Sequence, residues 1–366
     1  MKISIIGGGI AGCATAYYLT RDGHDVTLFE RDSVASHASG FALGGITPSI
    51  SVTPDNPYEI LSDCSIGLHR ELAGRLTDEQ STNLNFRRKP SLMLVKTPAE
   101  EAIMGRAYSI YADDFSVDIR WLSIGELRHI DARISQQMLG GLYLGEAYEV
   151  DPYKLTLALW QAAEKRGAQL INREVTAITE QSDQVLGVTA AEGFTPADAV
   201  VAAAGPWNYT ILSDIGVHVP LAPLKGQILR LDAPGPPLKV SLWWDSNYAT
   251  TKADGLTWVG TTEEEMGYDD RATDSARDVI ISSAIELLPY LEEAELVQQT
   301  ACLRPMTPDR APIIDAVSGP KGLVIATGGG RNGILLGPAM GLAASALAAG
   351  SDSPVDVSAF SLGRFS

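Results

Sequence analysis

The sequence predicts an α/β protein in which a parallel sheet of Rossmann type is interleaved with an antiparallel-sheet α+β domain. Three observations carry this. A strand, a glycine turn, a helix and a second strand fill the first 30 residues. Two later apolar runs, Ala199 to Ala204 and Gly322 to Thr327, each end in a glycine turn. Residues 219–262 alternate apolar and polar positions, as an antiparallel sheet does.

In chain order, Lys2 to Ile6 reads as a buried parallel strand, and Ile10 to Arg21 as a helix. Asp25 to Glu30 is the returning strand, which closes a βαβ unit of the size of a mononucleotide-binding half. Residues 33–55, rich in Ser, Gly and Pro, read as an ordered loop, and 58–80 as a helix. Residues 90–150 mix short strands and helices. Asp151-Pro152 opens a helix over Lys154 to Arg166, with Pro152 suited to its first turn. Gln169 to Ile178 and Val185 to Ala190 read as strands. The antiparallel set is Gln227 to Leu231, Val240 to Trp244, Tyr248 to Thr251 and Thr257 to Thr261, followed by a helix over 273–291 ended by Pro289. Gly333 to Ala349 reads as a buried helix. This order predicts a discontinuous dinucleotide-binding domain (1–80, 150–215 and 300–366) around a substrate domain (81–149 and 216–299).

The 366 residues carry a net charge of −17. That argues against a nucleic-acid partner, which calls for a basic face. Cys13, Cys64 and Cys302 show no pairing or metal-ligand spacing. A reducing, cytoplasmic setting and no metal are expected. No uninterrupted apolar stretch reaches the ~18 residues of a membrane span, and no signal segment is expected. Composition leaves the oligomeric state open.

Gly7-Gly8-Gly9-Ile10-Ala11-Gly12 fits G-x-G-x-x-G in its required context, after a strand and opening a helix. Gly7 permits the tight turn, Gly9 a close approach of pyrophosphate, and Gly12 close helix–strand packing. Ile10 and Ala11 present the helix N-terminus, with its free N–H groups and favourable dipole, to the phosphates. Glu30 ends the second strand, 18 residues past Gly12, where an acid accepts ribose hydroxyls. Arg31 follows it at the same edge. The fingerprint alone does not separate FAD from NAD.

Four further blocks do separate them. Ala38-Ser39-Gly40-Phe41-Ala42-Leu43-Gly44-Gly45-Ile46 resembles the second FAD-contacting loop of the D-amino acid oxidase superfamily. Val200 to Trp207 (VVAAAGPW), Leu303 to Asp309 (LRPMTPD) and Ala326 to Pro338 (ATGGGRNGILLGP) resemble later blocks of the same superfamily, in the same order. Leu224-Lys225-Gly226-Gln227 and Gly260-Thr261-Thr262-Glu263 are most similar to the glycine-oxidase and sarcosine-oxidase-like branch.

The resemblance implies FAD held by Ser39, Ala42, Leu43, Gly44, Gly45 and Ile46, with the Val175 backbone at adenine. Ala204, Gly205 and Trp207 would form a cavity wall. Gly328, Gly329, Gly330, Arg331, Asn332, Gly333, Ile334 and Leu335 would lie beside the flavin pyrimidine ring. It implies catalytic-site roles for Arg304, which would grip a substrate carboxylate, for Tyr248 on the adjoining strand, and for Arg331. The implied reaction is oxidation of a C–N bond in a small amino acid or secondary amine of glycine, sarcosine or D-amino acid type, by hydride transfer to the flavin, with O2 as acceptor. An FAD-dependent dehydrogenase of a D-amino acid, an N-substituted amino acid or a 2-hydroxy acid, passing electrons to a quinone or carrier, and a non-catalytic flavin-binding protein are the alternatives.

Three positions depart from the family pattern or divide it. Gly329-Gly330 stand where the family block carries His or another bulky residue, leaving more room near the flavin. Glu263-Glu264-Glu265 read first as a solvated turn; an acid facing the pocket would favour a cationic substrate group. Cys302 stands at the spacing of the flavin-linking cysteine of sarcosine oxidases. The neighbouring LRP sequence follows the glycine-oxidase type, in which FAD is not covalent.

Overall fold

The structure, a computed structural model, describes residues 1–50, 56–112, 118–191 and 193–365. Positions 51–55, the end of the expected 33–55 loop, lie outside the described residues. The six-stranded sheet runs Ile313–Ala316, Leu323–Thr327, Ala199–Ala202, Lys2–Ile6, Asp25–Phe29, Gln169–Ile171. Neighbours are parallel except for the antiparallel edge pair Ile313–Ala316 and Leu323–Thr327. The central strands are apolar and buried on both faces, as parallel strands require.

One face is covered by the helices Ile10–Arg21, Pro152–Lys165 and Gly333–Ala348, with Pro57–Gln80 outside them. The other is covered by an antiparallel meander of Val175–Gln181, Gln184–Ala190 and Gly193–Pro196. Asp151 starts the Pro152–Lys165 helix by accepting from the Lys154 N–H, with Pro152 in the first turn. The Gly333–Ala348 helix is rich in Gly and Ala because it packs against Ile10–Arg21 nearly backbone to backbone. A Cβ on Gly337 would sit 2.3 Å from Ile10 Cγ1, and one on Gly341 2.3 Å from Ala14 Cβ.

The second sheet has eight strands: Glu295–Met306, Ala222–Asp232, Thr257–Gly260, Asn247–Thr251, Ser241–Trp244, Ser91–Val95, Gly140–Leu144 and Ile119–Ser123. Its apolar face packs on the helices Asp274–Leu287 and Ile124–Ile130. It is antiparallel apart from one parallel pair, Ser241–Trp244 with Ser91–Val95. That pair joins chain segments about 150 residues apart, a register that local alternation does not encode. A small sheet of Gly45–Ile46, Tyr148–Glu149 and Arg87–Arg88 fixes the loop after the first βαβ unit, which also holds a helical turn over Ala38–Phe41.

Several expected elements are corrected. The run Gln169 to Ile178 is two strands in different sheets, Gln169–Ile171 and Val175–Gln181. The chain turns between them at Asn172, whose Nδ2 donates to Glu30 O at 2.8 Å. The helix expected over 273–291 ends at Leu287, because Pro289 denies Leu288 the helical conformation and opens a 3-10 turn, Pro289–Glu293. Glu295–Met306 is a long strand that the pattern did not announce, since its outer residues are exposed and it contains Pro305. Among the described residues no helix is long and apolar enough to cross a membrane.

Candidate active site

The sheet order reverses direction between Lys2–Ile6 and Ala199–Ala202, so a crevice opens beyond their carboxyl ends. A long cavity begins there, at Gly7, Ala203 and Ala204, and runs to the eight-stranded sheet at Ile228, Tyr248, Thr261 and Arg304. Its empty space, open mouth included, is about 1650 Å³. Its run from the switch point of one sheet to the second sheet suits an extended dinucleotide with a substrate beyond it. Every site residue named from the sequence lines this cavity except Gly12, Ile46 and Gly328. Gly12 is buried beneath the turn, where a Cβ would lie 2.0 Å from Gly7 O. Ile46 points into the helical core, and Gly328 abuts Thr307.

The outer end is built from main chain. Gly7 has φ +108°, and a Cβ there would lie 2.5 Å from Ala203 O. Only glycine holds that turn. The helix Ile10–Arg21 starts without a side-chain cap on Gly9, and Ser39 Oγ accepts from the Ile10 N–H at 2.9 Å. Such a helix end binds phosphate oxygens through N–H groups and dipole. Glu30 is 9% exposed, and its carboxylate accepts from Gly8 N–H at 2.7 Å and Asp32 N–H at 2.9 Å. A carboxylate has about four acceptor positions, so capacity for ribose hydroxyls remains. Arg31 stacks over Trp207, 4.1 Å from guanidinium carbon to ring centre. Glu30, Asp32 and His37 come together at this end. Their contacts are already internal, because Asp32 pairs with His37 at 2.7 Å and with Arg31 at 3.1 Å. The donor set of this whole end fits FAD.

The loop over Ala42 to Gly45 is held from beneath. Lys252, 8% exposed, donates from Nζ to Leu43 O at 2.8 Å and to Val150 O at 3.0 Å. Burial pushes its ammonium below the ordinary lysine range, opposed by Glu149, which lies 3.8 Å away.

The inner end is built from side chains. Arg304 is 9% exposed. Its Nη1 donates to Thr262 O at 3.0 Å and its Nη2 to Thr261 Oγ1 at 2.6 Å. Two of five guanidinium N–H donors are thus used, and among the described residues no carboxylate pairs with it. Burial lowers its affinity for a proton, yet an arginine stays charged. The fold makes room for it at Gly226 on the neighbouring strand, where a Cβ would fall 2.0 Å from Nη2. Tyr248, 4% exposed, packs on Trp243 with ring centres 5.3 Å apart. Gly260 opposite leaves space for its hydroxyl, and burial pushes that hydroxyl's pKa up, so it stays protonated. Arg331 is not free: Nη1 donates to Glu263 Oε1 at 3.1 Å and Nη2 to Ser246 O at 2.7 Å. Glu263 and Glu264 are therefore not a merely solvated turn, since Glu264 also accepts from Gln227 Nε2 at 2.9 Å. Cys302 lines the cavity, and burial pushes its thiol up, away from the nucleophilic thiolate.

Sequence reasoning missed Thr261, Trp243, Ile228 and His69. His69 is buried on the helix Pro57–Gln80, and its Nε2 lies 2.9 Å from Ile334 O and 3.1 Å from Leu335 O. Pro338 has no N–H to give Ile334 O, so His69 supplies the missing donor. It thereby steadies the first turn of the Gly333–Ala348 helix, which lines the cavity. Burial drives its pKa down to about 4, so it is neutral and donates through Nε2–H. Pro338 inside a helix was the available signal.

A parallel sheet with a glycine cradle at its switch point is joined by one cavity to a buried arginine on a second sheet, the arrangement of a dinucleotide-dependent enzyme with an anion site beyond the cofactor. The family model of FAD dependent oxidoreductases (DAO) matches residues 2–347, and the chain belongs to that family. It is 29% identical over 366 residues to the glycine oxidase of Geobacillus kaustophilus, covering 99% of this chain and 96% of that one. The crystal structure of a glycine oxidase from Geobacillus kaustophilus superposes with a TM-score of 0.93 at 28% identity, covering 98% and 97% of the two chains. The structure of iminodiacetate oxidase from Chelativorans sp. BNC1 superposes at 0.89 with 25% identity, covering 98% of each.

Proposed function

We propose that the protein oxidises the carbon–nitrogen bond of a small amino acid or N-substituted amino acid and passes the electrons to oxygen. The observation behind this reading is Arg304, a buried cation that faces the cavity with no carboxylate partner among the described residues. A charge so placed calls for an anion from outside, and a planar guanidinium suits a carboxylate.

In this reading Gly7, Gly9, Ile10 and Ala11 hold the pyrophosphate, Glu30 the ribose, and Val175 and Trp207 flank the adenosine half. Ala42 to Gly45 and Gly329 to Leu335 hold the isoalloxazine. FAD sits without a covalent bond, the protonated Cys302 thiol being a poor nucleophile; acid precipitation that leaves the yellow colour in the supernatant is the expected result. The bound flavin supplies the hydride acceptor.

The chain's own residues do the rest by positioning. Arg304 clamps the carboxylate, with Thr261 and the Thr262 carbonyl fixing its fork. Neutral Tyr248 can donate one further hydrogen bond. Ile228, Trp243 and Leu43 exclude water around the substrate carbon. Substrate held in this way gains chiefly by orientation. No protein base is invoked, because an amine bound in its neutral form needs none.

The test is an oxygen-electrode assay with glycine, sarcosine, D-alanine, D-proline and L-pipecolate, with peroxide measured in parallel. Oxygen uptake with stoichiometric peroxide is expected from at least one. Reduction of an artificial acceptor with no oxygen uptake would replace the oxidase by a dehydrogenase.

A further inference from the structure

Two arginines reach the inner end of the cavity, and their surroundings differ. Among the described residues Arg304 has only uncharged partners, Thr261 Oγ1 and Thr262 O. Arg331 has an anion, Glu263, at 3.1 Å. Glu263 is clamped from the other side by Arg310 at 2.8 Å and is 23% exposed in its side chain. It follows directly on Thr261 and Thr262, the residues that fix the Arg304 fork. The hydrogen bond from Arg310, and then that from Arg331, hold its carboxyl below the usual range in spite of partial burial. It is an anion at neutral pH.

We propose that Glu263 is a specificity-determining residue: by pairing with Arg331 it leaves Arg304 as the cavity-lining arginine of the inner end without an anionic partner among the described residues, and so selects substrates with one carboxylate over substrates with two. The claim rests on the reading of Arg304 as the carboxylate anchor. A second carboxylate on Arg331 would share the guanidinium with Glu263 and lie beside that anion, which repels it. Selectivity of this kind comes from a repulsive element as much as from an attractive one. Arg331 is anchored independently by Ser246 O at 2.7 Å, so loss of the Glu263 charge leaves it in place with a free donor.

The experiment uses purified holoenzyme and two probes that are not oxidised, acetate and malonate. Each is titrated while perturbation of the flavin absorbance is followed. Wild type should bind acetate more tightly than malonate. Glu263→Gln, which keeps the shape and removes the charge, should tighten malonate at least roughly tenfold, about 1.4 kcal/mol, while acetate moves by less than about twofold. Adding Arg331→Met to Glu263→Gln should erase the gain. An unchanged acetate-to-malonate ratio in Glu263→Gln overturns the proposal, as does a gain that persists in the double variant. Should Glu263→Gln fail to retain flavin, Glu263→Met removes the same charge and is read in the same way. Binding is measured without turnover, so the two claims separate. Amine oxidation by wild type with an unmoved ratio removes the selectivity claim alone. A moved ratio with no amine oxidation removes the proposed reaction alone.

Discussion

The two ends of the cavity are made in different ways. The cofactor end is main chain drawn largely from one stretch: a glycine turn, a helix N-terminus and an acid within the first 30 residues. The substrate end is side chain drawn from strands far apart in sequence and brought together by register. Tyr248 lies opposite Gly260, and Arg304 opposite Leu224, with Gly226 leaving space for its guanidinium. A main-chain site depends on backbone conformation and tolerates few side chains. A side-chain site depends on strand pairing and on which partner each charge finds.

The sharpest way to break this comparison is to damage each end alone. Gly7→Val puts a branched Cβ at φ +108°, 2.5 Å from Ala203 O. We expect purified protein with no flavin; a yellow Gly7→Val protein would remove the cradle from its assigned role. Arg304→Met should leave the flavin in place and raise KM for amino acids by at least roughly tenfold, about 1.4 kcal/mol. Steady-state kinetics that match wild type would take Arg304 out of the site. Gly226→Ala, in the eight-stranded sheet, should do the same by driving a methyl into the Arg304 fork.

A third variant addresses the helix that joins the two ends. His69 has a folded pKa of about 4, below the ~6.5 of an unfolded histidine. The unfolded chain therefore binds a proton that the folded one refuses. The group costs nothing above about pH 6.5 and destabilises increasingly as pH falls toward 4. His69→Gln should flatten the dependence of unfolding free energy on pH in that window by on the order of 1 kcal/mol per pH unit. Denaturation midpoints from pH 7 to 4.5 check it; parallel curves for the two proteins would contradict it. The smallest effect is expected of Tyr248→Phe. Loss of one neutral hydrogen bond is worth about 0.5–1.5 kcal/mol, or roughly two- to tenfold in KM.

The same contrast explains what the sequence made legible. Gly7 to Gly12 and Glu30 are a local pattern whose spacing follows from one turn of backbone, and all but Gly8 and the packing glycine Gly12 line the cavity. Arg304, Tyr248 and Arg331 were reached through resemblance, not through spacing, because nothing local says that they share a cavity. Thr261 was invisible for the same reason: its role exists only once Ala222–Asp232 pairs with both Glu295–Met306 and Thr257–Gly260. Glu263 was visible as one of three consecutive acids, but its partners Arg310 and Arg331 lie 47 and 68 residues away. The division of Gln169 to Ile178 between two sheets was hidden by a continuous β pattern.

The central claim is that Arg304 selects amines by their carboxylate. The most direct measurement is anaerobic bleaching of the flavin by matched pairs, glycine against methylamine and sarcosine against dimethylamine, in wild type and in Arg304→Met. We expect wild type to be bleached by the acid of at least one pair and far more slowly by its partner, with the difference lost in Arg304→Met. Equal bleaching by both members in wild type, or a preference for the acid that survives Arg304→Met, would contradict it.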